Sequence, residues 1–239
     1  MKAIRALALL LAVAGIVMLA ASGIGTRFGM WHYRVGLSML RYSAYVGVAA
    51  CLACVLALLI TRPRDGSRLA LVFGLLLSAV TVGVPYRLAQ TAKGMPPIHD
   101  ITTDMADPPI FVAVLPLRVS ATNAAEYAGD SIATLQRAAY PEVQPLTLPV
   151  PPSAAFERAV SAAKAMGWEI VAGDSPSGRL EATATTTWFG FKDDVVVRIR
   201  PANGGSRVDV RSVSRVGRGD VGANAARITR YLGEVQRQR

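Results

Sequence analysis

Apolar residues run almost unbroken through three stretches of the chain, about Ile4 to Ile24, Tyr42 to Ile60 and Leu69 to Leu88. Each is close to the roughly 20 apolar residues that a helix needs to cross a bilayer. No charge lies deep inside a stretch except Arg5, which stands near enough to the end to reach water by its long side chain. Arg87 marks the far edge of the third. The pattern predicts a three-helix transmembrane anchor over residues 1–94 and a separately folded domain over 95–239. The first stretch also has signal-peptide features: a basic start, an apolar run and the small residues Ala20, Ala21 and Ser22. Its length favours a retained span.

Beyond residue 94 the periods shorten. "VAVLPL" (112–117) reads as a short strand, and "EYAGDSIATLQRAAY" (126–140) as a short helix stopped by Pro141. "PEVQPLTLPVPP" (141–152) is extended, because each proline removes a donor and pushes its predecessor out of the helical region. From Ser153, Phe156, Val160, Ala163 and Met166 or Gly167 recur at helical spacing. Gly167 follows as the residue just past the helix end, with Trp168 folding back onto it. "WEIVA" is a strand, "DSPSG" a turn, "RLEATATTTWF" a half-solvated strand and "DVVVRIR" another strand.

Asn203-Gly204 marks a tight hairpin, since both residues accept positive φ. That loop pairs Ile199 with Val208, Val197 with Val210 and Arg198 with Asp209, and sets Arg200 against Arg207. A loop at Gly204-Gly205 pairs Arg200 with Asp209 instead and sets Arg198 against Arg211, with the same face buried. "GDVGANAARITRYLGEVQ" closes the chain as a helix with Asp220 as its N-terminal cap. The order helix, four antiparallel strands, helix gives an α+β fold: a two-layer domain with an antiparallel sheet packed by helices.

The net charge of +10 is unevenly spread. Residues 1–94 hold ten Lys or Arg and one acid, whereas residues 95–239 hold 16 bases and 15 acids. Almost all the excess flanks apolar segments, which argues for membrane topology and against nucleic acid. Lys2, Arg5 and the arginines of "TRPRDGSR" belong on the cytoplasmic side. The domain then lies outside, in the periplasm of a Gram-negative inner membrane. Trp31, His32 and Tyr33 sit where aromatic side chains anchor at headgroup level. No Asp, Glu, Lys or His lies deep within a span, which argues against a transporter or pump. The only cysteines, Cys51 and Cys54, fall mid-span and read as small packing residues rather than a redox pair. Within the domain, residues 95–197 carry 6 bases and 12 acids, and residues 198–239 carry 10 and 3. These are expected to pair within the fold; the alternative is a basic face for lipid phosphate or an acidic partner.

Four segments, "IHDITTDMADPP" (98–109), "AMGWEIV" (165–171), "WFGFKDDVVVRIRP" (188–201) and "SRVDVRSVSRVGRGDVGANAARI" (206–228), resemble the domain of unknown function 1499 family. The resemblance implies one domain over 95–239 and a location outside the cytoplasm. It supplies no catalytic residue.

Three groups of residues are candidate sites. His99, Asp100, Asp104 and Asp107 have metal-ligand or acid–base chemistry, but an extended segment need not bring them together; the structural reading is a strap whose aspartates bond nearby amides. Ser212, Ser214, Arg215, Arg218, Asp220 and Asn224 lead from a strand into a helix N-terminus, which suits an anion; the alternative is internal pairing of Arg215 with Asp220, Asp193 or Asp194. Trp188, Phe189 and Phe191 cluster where one strand turns into the next, either closing the core or meeting membrane or a partner. No GxSxG, HExxH, P-loop or dinucleotide fingerprint occurs, and no cofactor is implied. The leading expectation is a non-enzymatic inner-membrane protein that binds an envelope protein, an anionic lipid headgroup or a polymer. The alternatives are a lipid-handling module, or a hydrolase or metal-dependent enzyme using His99 with Asp104 or Asp107.

Overall fold

The computed structural model describes residues 2–63 and 66–238. The chain divides into two compact units, Met1–Gly94 with Thr187–Gly190, and Met95–Thr186 with Phe191–Arg239.

The first unit holds α1 (Lys2–Arg27), α2 (Tyr33–Thr61) and α3 (Ser67–Lys93). All three are long and apolar enough to cross a membrane. They outrun the apolar stretches that announce them, because polar residues at a span's ends cost a helix nothing in its hydrogen-bond ladder. Thus α2 begins at Tyr33, with His32 as its N-cap accepting the Arg34 amide. Arg34 and Arg41, which precede the apolar stretch that begins at Tyr42, therefore lie on the helix.

Small residues form the seam of this unit. Buried positions recur every three or four residues: Ala8, Ala12, Gly15, Leu19 and Ser22 on α1, Ser43, Gly47, Ala50, Cys54, Ala57 and Thr61 on α2, and Leu71, Gly74, Ser78 and Thr81 on α3. Such residues let helix backbones approach closely in lipid. A Cβ on Gly47 would stand 2.9 Å from Val82, and one on Gly74 would stand 3.0 Å from the Cys54 sulfur. The seam hydroxyls return their protons to their own helices: Ser78 donates to the Gly74 carbonyl and Thr81 to Leu77. Cys54 packs as a small residue, and both thiols are free. At one end Arg5 donates to Thr61 and Ser67 hydroxyls at 2.8 and 2.7 Å. Arg64 and Asp65 of the basic second loop lie outside the described residues.

The second unit contains β1 (Asp100–Thr102), a 3₁₀ turn (Leu115–Arg118), α4 (Asp130–Ala139), β2 (Leu146–Leu148), α5 (Pro152–Ala165), β3 (Glu169–Asp174), β4 (Arg179–Thr185), β5 (Lys192–Ala202), β6 (Gly205–Ser214) and α6 (Ala223–Arg237). The fold is α+β, with an antiparallel sheet in the order β1-β6-β5-β4-β3. The four expected strands are present, and two three-residue strands, β1 and β2, add to the edge of β6. The β5–β6 hairpin takes the Asn203-Gly204 register, with Arg198 opposite Asp209 and Arg200 opposite Arg207.

Two expectations require correction. Residues 112–117 are not a strand: a turn and the 3₁₀ segment place Phe111 and Val114 beneath the sheet, where they pack on Val196 and Val213. Nor is β4 half-solvated. Its Glu181 and Thr183, the polar half of the alternation, are as buried as Leu180 and Ala182. The reason for both is that the chain covers the sheet on two sides. Helices α5 and α6 cover the face bearing Leu180, Val195, Val197, Val208 and Val210. Residues 103–127 cover the other.

The C-terminus of α5 follows its sequence signal closely. Gly167 has φ +70°, its amide reaches the Lys164 carbonyl, and the Trp168 amide reaches Ala163, satisfying two end carbonyls at once. The indole of Trp168 then stacks on Tyr231 of α6 at 4.6 Å.

Candidate functional site

The face of the sheet away from α5 and α6 is charged and largely buried. Each strand residue there points to one side because side chains alternate, so the arginines of β5 and β6 meet the acids of β1, β6 and the strap. Arg211 pairs with Asp100 at 2.7 Å, with both side chains almost fully buried, and also donates to the Pro109 and Ala125 carbonyls. Its guanidinium lies over the Phe111 and Tyr127 rings. Asp194, wholly buried, accepts from Arg118 at 2.6 Å, Arg215 at 2.7 Å and the Thr183 hydroxyl at 2.8 Å. Burial works to raise its carboxyl, but the hydrogen bonds from Arg215, Thr183 and Arg118 outweigh it and hold the group below the usual carboxylate range. Glu181 accepts the amides of Val112 and Val114.

At the hairpin end, Arg198, Arg200 and Arg207 converge on Asp104, Asp107 and Asp209. The like-charged pair Arg200–Arg207 left by the register is thereby neutralised from the strap. The acidic and basic halves of the domain do pair within the fold.

These contacts locate the three sequence-derived groups. Asp104 spends one carboxylate oxygen on the Ala106 and Asp107 amides and the other on the arginines, and Asp107 bridges Arg198 and Arg200. His99 is engaged elsewhere, its ring 3.3 Å from the Arg218 carbonyl and its own carbonyl accepting from Asn224 and Ser214. Among the described residues no group of three His, Cys, Asp or Glu side chains could hold a metal.

The β6–α6 junction is turned inward. Ser212, Ser214 and Asn224 are buried, with Asn224 bonded to both serines. Asp220 accepts the Gly222 and Asn224 amides at 2.9 and 2.7 Å, occupying with its own carboxylate the place an external anion would take. Burial pushes that carboxyl up despite the two amides. Arg215 belongs to Asp194, whereas Arg218 is exposed.

Trp188 and Phe189 belong to the helical unit. Phe189 is buried, and Trp188 seats on Gly23, where a Cβ would come within 2.2 Å of the indole ring. The Trp188 ring nitrogen donates to the Ala20 carbonyl at 3.4 Å. Phe191 is a half-buried residue of the sheet unit.

The sheet unit also carries a concavity of about 270 Å³ at the C-terminal end of α5, which the sequence did not reveal. Met166, Trp168, Ala184 and Ala226 supply its apolar part, and Thr185, Thr186, Arg227 and Arg230 its polar part. Arg227 forms its inner wall. That guanidinium reaches Asp193, Asn224 and the Ser212 hydroxyl, and so joins the concavity to the serine–asparagine cluster behind it. Arg230, one turn along α6, is exposed at its rim. The available signal was the i, i+3 spacing of Arg227 and Arg230, which puts two guanidiniums on one helix face. It lacked meaning without the Gly167 turn that brings Trp168 beside them.

No curated protein matches the chain. The profile of the family described as protein of unknown function (DUF1499) matches residues 100–235, which takes in the charged sheet face, the junction and the concavity, and the chain belongs to that family.

Proposed function

We propose that this is an inner-membrane protein that holds a binding domain in the periplasm, where it takes up the phosphate or carboxylate group of an anionic envelope component. The concavity at Arg227 and Arg230 carries this reading. Binding sites are concave, mostly apolar, and fitted with a few placed polar groups. Here the lining includes Arg227 and Arg230, Thr185 and Thr186, and Trp168. Its volume of about 270 Å³ suits a headgroup-sized moiety with a short apolar portion. Arg227 is fixed by Asp193 and already desolvated, which lowers the ordering cost of a charge-assisted hydrogen bond. The reading is one of binding: the side chains with acid–base chemistry on the charged face are committed to arginines and backbone amides.

Short-chain phosphatidylglycerol is a suitable probe, titrated calorimetrically against the whole chain in neutral nanodiscs. Arg230→Gln removes a rim charge at little structural cost and is expected to weaken binding about tenfold, the worth of one charge-assisted hydrogen bond. Ala226→Trp, which fills the concavity, is expected to abolish it. Equal affinity in wild type and both variants would contradict the proposal.

A further inference from the structure

A second surface lies wholly in the helical unit and does not depend on the reading above. Between α2 and α3 run two adjoining concavities of about 560 and 340 Å³ that share Val48, Val82 and Tyr86. Together they make one groove. On α2 its lining runs from Leu37 through Arg41 to Leu52; on α3 it runs from Ala89 back to Ser78.

Four features identify the occupant. The part of the groove from Arg41 inward matches one leaflet: the eleven steps from Arg41 to Leu52, and from Ala89 to Ser78, rise about 16 Å, roughly half of the ~30 Å hydrocarbon core. Arg41 lies at the right depth, because it stands where the long apolar stretch of α2 begins. The side chains there suit the interface. Arg41 supplies a guanidinium and Tyr45 and Tyr86 supply phenols, the residue types that settle at headgroup level. The floor has been kept open. Gly83 lines the groove, and a Cβ there would meet nothing within 4 Å, although Gly47 and Gly74 in the same helix pair are filled tightly by their neighbours.

We infer that the α2–α3 groove is a binding site for one anionic phospholipid, its acyl chain lying along Val48, Val82 and Gly83 and its phosphate meeting Arg41. In the topology proposed above this is the outer leaflet. Charge complementarity separates this occupant from a helix of a second copy: residues 1–94 hold a single acid, so such a helix brings apolar side chains, whereas a phosphate can meet the exposed Arg41 guanidinium, which lies 5.2 Å over the Tyr42 ring. A guanidinium matches a phosphate bidentately and stays charged at any accessible pH.

Native mass spectrometry of the whole chain, released from nanodiscs of mixed phosphatidylglycerol and phosphatidylethanolamine, tests this. Every sample carries Ala226→Trp, which fills the concavity of the sheet unit, so that this concavity adds no bound lipid. The parent is expected to retain one phosphatidylglycerol per chain. Arg41→Gln should cut that preference over phosphatidylethanolamine about tenfold, the scale of one lost charge-assisted contact. Gly83→Leu, which fills open space without a clash, should lower retention of both lipids while melting at or above the parent temperature. Retention unchanged by both substitutions would overturn the inference. So would a lipid-free dimer of the parent that Gly83→Leu dissociates, because the occupant would then be a second copy.

Discussion

Asp194 shows how single residues are placed in this domain. A carboxylate with no access to solvent survives only when paired and fully hydrogen-bonded, and here two arginines and a threonine share the task. Arg215 is therefore a structural residue, and the exposed Arg218 beside it is not. Arg215→Ala should cost about 2–3 kcal/mol, since Arg118 remains to hold half the charge, while Arg218→Ala should stay within about 0.5 kcal/mol. Thermal or chemical unfolding of the two variants decides it; equal losses would contradict the assignment. The pH dependence has a definite sign. Asp194 ionises more readily folded than unfolded, so its contribution is complete above the unfolded value of about 3.9. It is lost as pH falls through the lower folded value. Asp194→Asn should be less stable than the parent at neutral pH and should show a shallower loss between pH 4 and 2. An acid profile parallel to the parent's would assign that slope to other carboxylates.

At the scale of elements, two glycines on facing helices make opposite predictions. A Cβ at Gly47 would stand 2.9–3.1 Å from Val82 and Thr81, so Gly47→Leu overpacks the α2–α3 seam and should cost about 1–3 kcal/mol. Gly83→Leu meets open space and gains helix propensity, about 1 kcal/mol. Melting temperatures of the two variants in one detergent should move apart, and a shared direction would mean that the seam is misplaced. What the sequence disclosed follows the same local logic. The Asn203-Gly204 turn, the Gly167 helix end and the three apolar spans each rest on residues within a few positions of one another, and each was legible. The short strands β1 and β2 were not, because nothing local makes a three-residue strand; pairing with β6, about 60 to 110 residues later, does. "VAVLPL" misled for the same reason: Val114 alone of its large apolar residues is buried under the distant sheet, while Val112, Leu115 and Leu117 stay exposed. Gln136 was illegible too: on α4 it reads as a surface residue, yet its amide exchanges two hydrogen bonds with the Thr102 backbone and finishes the sheet edge.

For the whole molecule, the sequence conveyed a membrane region and a folded domain more readily than any site. The charged face depends on Asp104 and Asp107 meeting arginines 91 to 103 positions away, and the Arg227–Arg230 concavity depends on the packing of α5 on α6. The proposal that the domain works in the periplasm rests on three crossings and on where the positive charge lies. Lys2, Arg5, Arg62 and Arg68 mark one end of the helices, and Arg5 reaches across to the hydroxyls of Thr61 and Ser67. An odd number of crossings then puts the chain beyond Lys93 on the other side. Alkaline phosphatase fused after Arg239, with a fluorescent protein at the same point as the reciprocal, tests this most directly. The prediction is an active phosphatase and a dark fluorescent protein. A fluorescent fusion with silent phosphatase would place the domain in the cytoplasm and contradict an envelope ligand for Arg227 and Arg230.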